Sequence, residues 1–97
     1  MRRKAKVDSN HGKIRDALRQ CGISVFDASR VGNGFPDLVC ALGGVTVLVE
    51  VKVPRGKLTR DQEAFKASWG GVIAIVRDLD GVETTARFMR AMAGRLK

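Results

Sequence analysis

Gly43-Gly44 constrains this chain more than any other pair of residues. It separates two apolar runs, 37–42 and 45–53. A two-residue Gly-Gly connection between such runs predicts a tight β-hairpin, because both turn positions need positive φ. Centred there, the turn sets a register in which opposed residue numbers sum to 87, so Leu42 faces Val45, Val39 faces Leu48 and Asp37 faces Glu50. Strand alternation then divides the hairpin into two faces. Leu38, Cys40, Leu42, Val45, Val47, Val49 and Val51 make one face uniformly apolar, which predicts core. The other face carries Asp37, Glu50 and Lys52 at the open end of the hairpin.

The flanking segments complete an α/β pattern. Ile14, Ala17, Leu18 and Cys21 recur at helical spacing, which predicts a first helix with Ser9 as its cap and Gly22 as its stop. Residues 23–28 read as a short strand, and Arg30-Val31-Gly32-Asn33-Gly34-Phe35-Pro36 as a loop. After the hairpin, Pro54-Arg55-Gly56-Lys57 is a basic turn. Thr59-Arg60-Asp61-Gln62 has the capping-box pattern and opens a helix expected to turn Ala64, Phe65 and Trp69 inward. The continuous apolar run 72–76 predicts a strand buried on both faces. Asp80-Gly81-Val82-Glu83 resembles a second capping box. It starts a helix whose Val82, Ala86, Met89, Met92, Ala93 and Leu96 form one stripe, for closing the core or for a dimer face. Strand, helix and strand over 45–76 make a β-α-β unit, hence parallel strands with a right-handed crossover. The expected fold is α/β, in the order αβββαβα, with a four-stranded mixed sheet flanked by helices.

The 97 residues suit a single domain spanning 1–97, with 1–6 as a basic N-terminal arm. No apolar run approaches the ~18–20 residues of a bilayer span, and Met1-Arg2-Arg3-Lys4 precedes no apolar signal segment, so neither membrane nor secretion is expected. Cys21 and Cys40 lack zinc-ligand spacing and fall on apolar stripes, which predicts buried free thiols and fits a reducing cytoplasm. Eighteen Lys and Arg against 10 Asp and Glu give a net charge of +8. Four of the first six residues are basic, and no acid follows Glu83. That surplus favours a polyanionic partner, nucleic acid, over a merely solvated basic surface.

Asp37 and Glu50, directly opposed, should repel each other. Lys52 could offset that repulsion within a partly solvated ion cluster. Alternatively, a divalent cation could accept oxygen ligands from both carboxylates. Two acids and a lysine at a strand end, beside a Gly-rich loop in a strongly basic chain, favour the cation.

These residues carry a resemblance. Gly34-Phe35-Pro36-Asp37 followed by Glu50-Val51-Lys52 resembles the PD-(D/E)XK nuclease signature. With Gly56-Lys57-Leu58-Thr59 and Gln62 added, the chain is similar, over roughly residues 7–80, to the virus-type replication-repair nuclease (VRR-NUC) domain in its small stand-alone phage form. The resemblance implies a nuclease-like αβββαβα core and hydrolysis of DNA phosphodiesters with Mg²⁺ or Mn²⁺. It further implies branched substrates such as four-way junctions, a homodimer suited to paired incisions, and a bacterial host's cytoplasm. It would make Asp37, Glu50 and the Val51 carbonyl metal ligands. Lys52 would orient or activate water, and Gln62 would face the site from the helix, unless that side chain serves the capping box instead. Members often carry an acid near the start of the first helix. Here that region reads Asn10-His11-Gly12-Lys13, and Asp16 lies opposite the apolar stripe, so a third carboxylate is missing and His11 is its one candidate substitute. Arg30, Asn33 and Gly34 on one side and Arg55, Lys57 and Arg60 on the other would hold DNA phosphates without reading bases. Base stacking is not expected, because Phe26, Phe65, Phe88 and Trp69 fall mostly in predicted core and Phe35 alone is placed to be exposed. A non-catalytic basic DNA-binding protein on the same fold is the alternative.

Overall fold

In the computed structural model, which describes residues 10–97, Gly43 and Gly44 take φ of 57° and 87°. The hairpin they close has the expected register. β2 (Leu38–Leu42) pairs antiparallel with β3 (Val45–Val51) through Leu42↔Val45, Val39↔Leu48 and Leu38↔Val49. Around it run α1 (His11–Gln20), β1 (Ser24–Asp27), α2 (Arg60–Ser68), β4 (Ile73–Val76) and α3 (Leu79–Arg95). The described residues thus follow the order αβββαβα. Their sheet is mixed, in the order β1-β2-β3-β4, with β3 and β4 parallel. The basic arm, 1–6, and Ser9 lie outside the described residues. Asn10 occupies the N-cap position of α1, and its side chain makes no capping bond there.

One sheet face is the core. Leu38, Cys40, Val47, Val49, Val51 and Val76 pack against Ile14 and Leu18 of α1 and Val82, Ala86 and Met89 of α3. Leu42 and Val45, nearer the turn, join partly buried. This is the apolar hairpin face that alternation predicts, and its burial is the main source of stability. Cys40 is fully buried, which pushes its thiol up to about 11. Cys21 is half-buried and also free.

Several expectations need correction. Residues 72–76 do not form a strand buried on both faces: β4 is an edge strand in which only Val76 is buried. An unbroken apolar run records hydrophobicity but carries no information on strand order. No residue of α2 is buried: Ala64 is exposed, Phe65 half-buried and Trp69 43% exposed. α3 starts earlier than Asp80, because Asp78 is its N-cap and accepts from the Gly81 N–H at 2.9 Å. The α3 stripe closes the core through Val82, Ala86 and Met89, while Leu96 at its end is 65% exposed.

The loop before β2 is tied to α2 at one point. Gly34 has φ 82°, and a Cβ there would collide with the Asp61 carbonyl. Gly34→Ala is therefore expected to destabilise the protein by about 2 kcal/mol or more, from left-handed backbone strain plus displacement of α2. Urea unfolding measures it. A variant as stable as the parent would mean that α2 is free to shift.

Candidate active site

The β2–β3 ladder stops at Leu38↔Val49, so Asp37 is a bend residue just before β2 rather than the first residue of that strand. Its carbonyl accepts from the Ala28 N–H at 2.7 Å, and its Oδ2 accepts from the Val51 N–H at 2.9 Å. The carboxylate thus replaces the backbone partner that Val51 would have found in a longer β2. Because Val51 directs its N–H toward β2, its carbonyl is on that side too.

Glu50 is 3% exposed. Its Oε2 accepts from Gln62 Nε2 at 2.9 Å and lies 3.8 Å from Lys52 Nζ. The Lys52 side chain is 12% exposed, and its backbone N–H continues the ladder to the Val76 carbonyl. Asp37, Glu50 and Lys52 therefore meet at one end of the sheet, each carboxylate with its own polar partner. Burying such groups is unfavourable unless they are paired.

Gln62 resolves an apparent conflict between cap and site by serving both. The capping box is complete: Gln62 N–H donates to Thr59 Oγ1 at 3.2 Å, and Gln62 Oε1 accepts from the Thr59 N–H at 2.8 Å. The amide oxygen is committed to a donor, so the amide nitrogen is the end that reaches Glu50. Gln62→Met should lose about 1–2 kcal/mol, the cap bond together with a bond to a charged group. Unchanged stability in urea unfolding would reduce Gln62 to a surface residue.

The proposed DNA contacts Arg30, Asn33, Arg55, Lys57 and Arg60 are all exposed. Gly32, Asn33 and Gly34 take successive φ of 78°, 57° and 82°. Gly34 is half-buried against α2, which gives it a packing role as well. Phe35 is not an exposed stacking residue: it packs edge-on against Phe65, with ring centroids 5.3 Å apart, and Phe65 stacks on Trp69 at 5.2 Å. Phe26, Trp69 and Phe88 are exposed instead.

His11 does not face Glu50. It is buried, with Nε2 2.9 Å from Asp27 Oδ2, and Nδ1 has no hydrogen-bond partner. Asp27 opposes Leu38 and so belongs to the core face, whereas Glu50 is on the other. The Ser29 hydroxyl, with the Ser29 N–H and His11, holds the Asp27 carboxyl well below the usual range. Asp16 is exposed and bonded to Arg15.

Two residues outside the sequence motifs organise this end of the sheet. The Arg77 guanidinium donates to the carbonyls of Val53 and Pro54 at 3.2 and 3.3 Å and also to Gly56, fixing the basic turn. Asn10 Nδ2 donates to the carbonyls of Lys52 and Arg77 at 3.1 and 2.6 Å, joining α1 to the ends of β3 and β4. Parallel pairing is expected from the sequence but its register is not, and in the structure Val51↔Val76 places Arg77 beside Lys52.

The donor set suits a hard cation. Two carboxylates and a backbone carbonyl are oxygen ligands, and Mg²⁺ sites use one or two carboxylates with substrate phosphates and waters completing the shell. Among the described residues no group of three or more His, Cys, Asp and Glu side chains could hold a metal. None of the described helices is long and apolar enough to cross a membrane. No protein-family model matches the chain, and no curated protein matches it.

Proposed function

We propose that this protein is a metal-dependent, structure-selective DNA endonuclease of the VRR-NUC type, with a PD-(D/E)XK nuclease-like core. The observation that carries the reading is the meeting of Asp37, Glu50 and Lys52 on one sheet end, with Glu50 held by Gln62 and Lys52. Asp37, Glu50 and the Val51 carbonyl would hold Mg²⁺ or Mn²⁺, which supplies Lewis-acid stabilisation at the scissile phosphate. Lys52 places a positive charge where the phosphorane-like transition state gains negative charge, and it can orient the attacking water. Gln62 fixes Glu50. Arg30, Asn33, Arg55, Lys57 and Arg60 hold flanking phosphates, and Gly34 positions the loop that bears two of them. Branched DNA as substrate, a homodimer and a cytoplasmic setting belong to the same reading.

A cleavage panel of duplex, flap, splayed-arm and four-way DNAs, with chelator, Mg²⁺ or Mn²⁺, tests it. Metal-dependent cuts at branched substrates are expected. Binding without cleavage under every condition would favour a non-catalytic DNA-binding role, since no third carboxylate joins Asp37 and Glu50 among the described residues. In either case affinity should fall by several powers of ten between ~50 and ~200 mM salt if six or so phosphates are contacted. Salt-insensitive binding would contradict an electrostatic DNA track.

A further inference from the structure

Among the described residues, the sheet face opposite the core is only half covered. The register sets two rows across it. Phe26, Val39, Leu48 and Ile73 form one. Ala28, Asp37, Glu50 and Ile75 form the next, through the Ala28–Asp37 backbone bond and the Glu50↔Ile75 pairing. On the β3–β4 side, α2 lies over the rows without packing deeply, leaving a narrow crevice among Glu50, Gln62, Phe65, Ile73 and Ile75. On the β1–β2 side Ser24 is exposed and Val39 and Ala41 are half-buried, while Phe26 is 67% exposed. Phe26 stands diagonally across from Asp37, a separation of about 7 Å in a pleated sheet. Beside it an open groove of about 420 Å³ runs along Phe26, Ala28, Ser29, Arg30 and Val31. Asp27 also lines this groove, but its carboxylate is bonded to Ser29 and His11.

We propose that this groove binds one unstacked nucleobase of the strand whose phosphate lies at Asp37 and Glu50, an inference that rests on the nuclease reading. A base presents a flat π face, which Phe26 can stack against, and the phosphate attached to it falls within reach of Arg30. A separation of one sheet row matches one step along an extended strand. Paired bases in a continuous duplex have both faces stacked already. The groove therefore selects nucleotides splayed at a branch, a flap or a single-stranded end, which supplies a physical source of structure selectivity. The net charge of +8 favours an anionic strand as occupant.

The test uses the full chain in chelator, so that cleavage cannot intervene. The probes are a single-stranded oligonucleotide containing 2-aminopurine and a plain duplex. The parent should quench the 2-aminopurine on binding. Phe26→Ala should abolish the quench and weaken single-strand affinity about tenfold or more, with duplex affinity and melting temperature nearly unchanged. Phe26→Tyr should keep the quench, and Phe26→Leu should lose it. Single-strand binding and quenching by Phe26→Ala equal to the parent's would overturn the proposal. So would sedimentation showing a parent dimer that Phe26→Ala converts to monomer, since the face would then be a self-interface. Absence of metal-dependent cleavage alongside a Phe26-dependent quench would sink the nuclease reading and leave the base site standing. Cleavage of branched DNA without the quench would sink the base site alone.

Discussion

On the proposed nuclease reading, Lys52→Met should fold and bind DNA but cleave it about 10³-fold more slowly. Preorganised charge aimed at a developing oxyanion contributes ~10²–10³ in rate, and the substitution removes that charge while keeping the unbranched stem. The stem matters, because the side chain is only 12% exposed. The variant loses the counter-charge 3.8 Å from Glu50, but Gln62 still donates to Glu50 at 2.9 Å. A stability loss of about 1–2 kcal/mol is expected, short of the ~3–5 kcal/mol typical when a buried pair loses one partner. Removing the cation beside Glu50 also makes the site more attractive to a divalent ion. Mn²⁺ affinity, read by calorimetry, should therefore hold or rise while turnover collapses. Turnover at the parent rate would take Lys52 out of the mechanism. Parallel loss of Mn²⁺ binding and turnover would make it a structural support of the metal site.

Glu50→Gln should abolish the proposed metal-dependent cleavage and separate two accounts of the Asp37–Glu50 pair. From the hairpin register alone, two opposed carboxylates repel by a few tenths to ~1 kcal/mol, and neutralising one should stabilise the protein in chelator. The side-chain partners reverse that expectation. Asp37 is held by the Val51 N–H at 2.9 Å, and Glu50 answers both Gln62 and Lys52. Neutralising Glu50 leaves a largely buried ammonium without that counter-charge, for an expected loss of about 1–3 kcal/mol in chelator. With Mg²⁺ at about 100 times its Kd the parent gains about 2.7 kcal/mol and the variant far less, so the gap widens. Thermal melts of both proteins, in chelator and in Mg²⁺, read this directly. A parent that ignores Mg²⁺ would remove the metal from the site.

Short-range chemistry made much of the architecture legible. The Gly43-Gly44 turn sets the hairpin register because a two-residue loop leaves one way for the strands to pair. Register and alternation together place Glu50 and Lys52 on the face opposite Val47, Val49 and Val51. The Thr59–Gln62 box marks the start of α2 because its bonds lie within one helical turn. The β-α-β unit predicts parallel pairing because its crossover admits little else.

Burial, and the partners of long polar side chains, depended on which elements cover one another. Helical spacing turned Phe65 and Trp69 inward, yet α2 is not packed deeply against the sheet and both rings keep solvent contact. The run 72–76 is as apolar as a central strand, but its place at the sheet edge follows from strand order, which local sequence does not encode. Phe26 reads as core by residue type and is exposed because none of the described helices covers the β1–β2 half of its face. Gln62 could be assigned to the cap or to the site when each partner was considered alone. Only the folded chain brings Glu50 to the amide nitrogen after the oxygen is taken. Turns and periodicities are set by neighbours in sequence, whereas exposure and side-chain pairing are set by neighbours in space, which the chain acquires when its sheet order and helix packing are complete.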